Sequence, residues 1–148
     1  MIAPAVASEL DHVLDSSSTR LLAITEESAA HQPNPESWCK KEILGHLIDS
    51  ASNNHQRFVR LQLAPTLDMP SYEQNEWVRS QNYAGRPWRD LVDLWLAYNR
   101  HLVHVIRHAD PGAAQHIWKA SGKDTALQFL IEDYLRHLNH HLEQILEG

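Results

Sequence analysis

The chain has 148 residues, enough for a single domain over residues 1–148 whose core needs no disulfide. Its 13 Lys and Arg against 19 Asp and Glu give a formal net charge of −6, which argues against nucleic acid or an anionic membrane as partner, since both demand basic surface. The lone cysteine, Cys39, has no intrachain partner, no apolar run approaches the ~20 residues of a membrane span, and the opening MIAPAVASELDHVLDSSS lacks the basic start and apolar core of a secretory signal, so a cytoplasmic protein is expected.

Four segments carry a helical period, and none alternates convincingly as a strand. The first runs from about Ala5 to Ala30, with Leu10, Val13, Leu14, Leu21 and Ile24 spaced for one face. His31-Gln32-Pro33-Asn34-Pro35 ends it, because proline disfavours helix in the residue before it. Ser37 is the expected N-cap of a second helix over Trp38–Leu63, which Pro65 and Pro70 stop. The connection that follows, Ala64 to Pro87, is too long for an idle loop, and its YEQNEWV stretch suggests a short helix carrying Tyr72 and Trp77. The third helix is expected over Trp88–His108, with Asp110-Pro111-Gly112 beyond it. Thr125-Ala126-Leu127-Gln128 reads as a capping box opening a fourth helix that runs to about Leu146. Four amphipathic helices without a strand partner imply an all-α antiparallel bundle, with a long crossover between helices 2 and 3.

There are 11 histidines, and helix phase sorts them. At about 100° per residue, Leu127, Leu130, Ile131, Tyr134, Leu138, Leu142 and Ile145 form one apolar arc on the fourth helix. His141 falls inside that arc and His137 at its edge, while His140 faces water. His137 and His141 are four residues apart, so they stack on one face and can grip one ion. On the second helix the arc is Ile43, Leu44, Leu47, Ala51, Phe58 and Leu61, with His46 at its edge and Ser50, Asn54 and Arg57 in or beside it. A polar stripe on a core face implies a cavity holding water or ligand, because an unpaired buried polar group costs about 1–3 kcal/mol. Asp49 and Asn53 flank the stripe and can support the ligands. On the third helix, whose core face is Leu91, Trp95, Tyr98, Leu102 and Val105, the histidines His101, His104 and His108 lie off the core and read as solvated surface.

The residues Trp38-x-x-x-Glu42-Ile43-Leu44-Gly45-His46-Leu47-Ile48-Asp49-Ser50, continued by Asn53-Asn54-His55-Gln56-Arg57-Phe58, resemble the DinB-like superfamily. So does the closing Tyr134-x-x-His137-x-x-His140-His141-x-x-Gln144-Ile145. The resemblance implies an up-up-down-down four-helix bundle holding nickel or zinc through three histidines, which map onto His46, His137 and His141. It also implies a transferase using a low-molecular-weight thiol, such as bacillithiol or mycothiol, on a small electrophile. Other members of this superfamily isomerise a maleyl adduct, act as hydrolases or have no known activity, and dimers are common. A metal-dependent hydrolase of a small molecule and a non-catalytic metal- or ligand-binding bundle are therefore the alternatives.

Three neutral imidazoles from two helices leave coordination positions open, as in a reactive site. Arg57 suits an anionic group of the substrate such as a carboxylate, or else a buried acid of the protein itself. Asn53, Asn54 and Tyr134 can orient substrate or water, although a core hydrogen bond would also account for Asn54 and Tyr134. Asp49 is the best available general base for a hydrolase. Cys39, near a helix start, reads as a bystander, and Tyr72 and Trp77 as packing rather than a lid.

Overall fold

The computed structural model describes residues 2–147. Four long helices make the bundle: α1 (Ile2–Ala23), α3 (Lys40–Leu63), α5 (Trp88–Arg107) and α6 (Leu127–Glu147). A five-residue helix, α2 (Glu26–Ala30), follows α1, and α4 (Gln74–Gln81) lies in the long crossover. Three short strands, β1 (Thr66–Asp68), β2 (Ile117–Ala120) and β3 (Lys123–Ala126), complete the fold. No helix among the described residues is long and apolar enough to cross a membrane.

Helices α1 and α3 each pack against both α5 and α6, so α1 sits diagonally across the bundle from α3, and α5 from α6. Leu10, Leu14 and Leu21 meet Leu91, Trp95, Leu102 and Ile106 of α5, Leu44, Leu47, Phe58 and Leu61 of α3, and Leu127, Leu138 and Ile145 of α6 in one buried cluster. Burying each such side chain stabilises the fold by about 1.5–3 kcal/mol. Cross-helix bonds set the directions. Trp88 at the start of α5 donates its indole N–H to the Leu21 carbonyl at the end of α1 (2.8 Å), so these two run antiparallel. Lys40, the first residue of α3, reaches the Ile145 carbonyl at the far end of α6, and Glu26 accepts both from Lys41 near the start of α3 and from the Trp88 N–H at the start of α5. Helix α3 is thus antiparallel to α6 and parallel to α5. The bundle and its long crossover are as expected, but the order of directions is up-down-down-up, because the first connection already reverses the chain.

Four local expectations are corrected. The first predicted helix breaks after Ala23, where the Thr25 hydroxyl accepts from the Ser28 N–H (3.1 Å) and starts α2 afresh. Helix α3 begins at Lys40 behind Cys39, whose N–H is taken by Glu42 Oε1 (3.0 Å), rather than behind Ser37. The sheet was not anticipated at all. Strands β2 and β3 form a hairpin closed by Ser121 (φ 50°) and Gly122 (φ 78°), the two left-handed positions that a type I′ turn requires, and β1 adds to β2 in parallel. Thr125 lies on β3 opposite Trp118, so it caps nothing. The first N–H groups of α6 are met instead by the carbonyls of His116 (from Leu127) and Ala114 (from Gln128), both at 2.9 Å.

Candidate metal centre

Helix α3 carries His46 near its start and α6 carries His137 and His141 near its end, and the antiparallel pairing brings them together. One ligand nitrogen from each lies within 4.8 Å of the others, and among the described residues this is the only such group of three. His46 Nε2 and His137 Nε2 are 3.1 Å apart, and the three rings stand edge-to-face with centroids 4.5–5.0 Å apart. His46, expected at the edge of its apolar arc, is completely buried, because α6 packs on that edge.

The donor set fits a divalent ion. Burial, and then the neighbouring His137 and His141, push His46 down to about 4. His137 is lowered by burial first and by His141 second. Both rings are therefore neutral at pH 7, the form that ligates, and their nitrogens converge with no carboxylate in the group. Gln144 Oε1 lies 2.8 Å from His141 Nδ1, an acceptor that turns the other nitrogen of this ring inward. The Trp38 ring covers His46 from the outside, 5.1 Å between centroids.

The flanking residues divide into two groups. Ser50, Asn54, Arg57, Tyr134 and His137 line one cavity of about 160 Å³, together with Tyr72, Gln74, Trp118, Leu130 and Asp133. Within it, Asn54 Nδ2 donates to the Ser50 carbonyl (2.9 Å), and the Tyr134 hydroxyl donates to Asn99 Oδ1 (2.6 Å). That phenol is held well above its ordinary value by burial. Arg57 makes no ion pair with any described residue; its Cζ lies 3.9 Å from the centre of the Trp118 ring. Asp49 and Asn53 belong elsewhere. Asp49 Oδ1 accepts from the Tyr83 hydroxyl (2.6 Å) and from Gln81 Nε2 (2.8 Å), which ties the crossover to α3. Burial raises the Asp49 pKa against those two lowering hydrogen bonds, and its Oδ2 is buried without a partner. Asn53 donates to the Asp49 carbonyl (2.9 Å) and lines a second, outer cavity of about 680 Å³ with Met69, Pro70, Tyr72 and Trp77.

Gly45 makes the Tyr83 contact possible: a Cβ there would stand 2.2 Å from the Tyr83 ring. Cys39 is buried, and that burial raises its thiol pKa, which disfavours the reactive thiolate. His101, His104, His108 and His140 are exposed, as their phase predicts. The residues that sequence reasoning missed are Trp118, Asn99, Gln81 and Tyr83. Trp118 sits on the unforeseen sheet, whose one signal was Ser121-Gly122 between two short runs that each carry apolar residues.

No curated protein matches the chain. Among solved structures it is similar to YfiT from Bacillus subtilis, described as a probable metal-dependent hydrolase with an unusual four-helix bundle topology. That match has a TM-score of 0.72 at 15% identity and covers 95% of this chain and 84% of YfiT, a likeness of fold. The model of the DinB superfamily matches residues 9–145, which take in α3, the crossover and all three converging histidines. The chain belongs to the DinB superfamily.

Proposed function

We propose that the protein is a divalent-metal-dependent enzyme acting on a small molecule, and that it transfers a low-molecular-weight thiol to a small electrophile. The observation that carries this reading is the convergence of three imidazoles from two helices, with ligand nitrogens within 4.8 Å, one of which, His137, lines a cavity that also holds a buried cation. His46, His137 and His141 would hold the ion, nickel or zinc, and leave positions open to reactants. Such an ion supplies Lewis-acid activation of a thiol or of water at neutral pH. The protein's own contribution is placement. Trp38 shields His46, Gln144 holds His141 in one orientation, and Ser50, Asn54 and Arg57 present polar groups to whatever enters beside His137. The family resemblance further supports a homodimer, which sedimentation would test.

Hydrolysis is the second reading, and one observation favours it. Asp49 is a buried carboxylate with one oxygen unpartnered and a raised pKa, the properties of a proton acceptor for water. The description of YfiT as a probable metal-dependent hydrolase points the same way.

Elemental analysis of purified protein tests the shared premise: wild type should carry about one divalent ion per chain, and His137→Ala and His141→Ala little. Equal content in all three would sink it. Thiol-dependent loss of a generic electrophile, abolished by chelation, would then support the transferase. Turnover of esters or amides without thiol, abolished by Asp49→Asn, would support the hydrolase.

A further inference from the structure

Arg57 is only 5% exposed, and no acid answers its charge among the described residues. Its Nη1 reaches Asn54 Oδ1 at a long 3.4 Å, its guanidinium lies on Trp118, and its Nε is buried with no partner. Asp133, the one carboxylate on the cavity wall, is bonded to Arg136 (2.7 Å). A buried charge without a counter-ion is among the costliest arrangements a fold can keep, so its retention beside a cavity calls for an anion from outside. The planar fork of a guanidinium suits a carboxylate, with two parallel N–H donors for two oxygens. The single guanidinium on the cavity wall balances the one charge of a carboxylate without help from an ion at the histidines.

Size is set by Tyr72. This half-buried ring lines both the inner cavity of about 160 Å³ and the outer one of about 680 Å³, and it leans on Trp77 with 5.1 Å between centroids. A cavity of about 150 Å³ holds a benzene-sized ligand, or about six non-hydrogen atoms.

We propose that the inner cavity is a carboxylate subsite in which Arg57 anchors a short monoanionic substrate beside His137, while Tyr72 walls off the outer cavity and excludes longer acids. The inference rests on the reading above for what the anchored molecule meets at the histidines; the anchor itself does not need the ion.

Titration calorimetry on the protein as purified, and again after chelation, tests it with butyrate, its isosteric amide butyramide, and octanoate. Wild type should bind butyrate at least tenfold more tightly than butyramide or octanoate, before and after chelation. Arg57→Gln should bind acid and amide alike, and Tyr72→Ala should recover octanoate at least tenfold. Equal binding of butyrate and butyramide by wild type overturns the proposal, as does a preference that survives Arg57→Gln or one that vanishes with the metal. Should Arg57→Gln fail to fold, the acid–amide comparison on wild type and the octanoate response of Tyr72→Ala decide. Elemental analysis of the same samples separates the two readings. Metal-loaded protein that does not distinguish acid from amide removes the subsite and leaves the metal centre standing. Metal-free protein that does distinguish them supports the subsite and removes the metal centre.

Discussion

His104 and His108 on α5 share the i, i+4 spacing of His137 and His141 on α6, and the two pairs have similar ring separations, 4.3 Å and 4.5 Å between centroids. Their surroundings differ. The α6 pair faces a third histidine on α3, with ligand atoms of all three within 4.8 Å, whereas the α5 pair is exposed and joins no such group among the described residues. His55 of α3 does approach α5, with its ring 5.3 Å from that of His101, but its Nδ1 lies 2.8 Å from the Tyr98 hydroxyl, and two imidazoles do not make a three-ligand site. Spacing makes a pair; the packing of a second helix makes a site.

Removing the third partner should therefore have the largest effect. His46→Ala is expected to weaken divalent-metal affinity on the order of 100-fold or more, beyond the 10–100-fold typical of losing a supporting residue, while a His104→Ala, His108→Ala double variant leaves it unchanged. Competition against a chromophoric chelator measures both. Metal retained by His46→Ala, or lost from the α5 variant, would reverse the comparison.

Acid should expose the same difference in metal-free protein. A histidine held below its ordinary 6.5 takes up its proton in the unfolded chain first. The stability contributed by a neutral His46 is thus complete above about pH 6.5 and is lost as pH falls toward about 4, the window set by its own shift. His137 adds to the loss, while the raised carboxyl of Asp49 works in the opposite sense. Urea unfolding in chelator should show on the order of 2 kcal/mol less stability at pH 4.5 than at pH 7, and His46→Leu should flatten much of that slope. A flat wild-type profile would mean that the rings are not held neutral by burial.

Much of this was legible before any coordinates, and the reason is periodicity. His46, His137 and His141 stand at fixed angles to leucines that must be buried, so helix phase alone separates them from His104 and His140. The sheet escaped because strands of three and four residues are too short to show alternation, and Thr125-x-x-Gln128 imitates a cap in a place where the carbonyls of His116 and Ala114 do the capping. Trp118 and Tyr83, the partners of Arg57 and Asp49, lie far from them in the chain and come from a short strand and a single 3-10 turn. Such partners are set by tertiary approach, which no local pattern records. The direction of α3 escaped for the same reason, since a loop that turns and one that crosses read alike.

The frame around His46 can be stressed without touching a ligand. Gly45→Ala would place a methyl group 2.2 Å from the Tyr83 ring, a rigid aromatic hydrogen-bonded to Asp49, so it cannot be absorbed by a flexible side-chain end. Overpacking of this kind costs about 2 kcal/mol, to be read as a lower urea midpoint. Leu94→Ala, at an exposed residue of α5, should cost far less. Equal losses would show that Tyr83 does not pack on α3 as described.

The finest difference between the two pairs lies in what holds each ring. His141 Nδ1 has a side-chain acceptor, Gln144 Oε1 at 2.8 Å, which fixes the ring and leaves Nε2 free to face His46. His108 Nδ1 lies 2.9 Å from the His104 carbonyl, so that ring is tied back to its own helix. Gln144 is exposed, and water can replace part of what it supplies, so Gln144→Ala should weaken metal affinity only about tenfold, the low end for a supporting residue. Gln144→Glu keeps an acceptor at the same reach and should restore most of the loss, which a merely structural role for this side chain would not do. If alanine and glutamate bind metal alike, orientation of His141 comes from helix packing alone, and the α6 pair differs from the α5 pair only in the helix it faces.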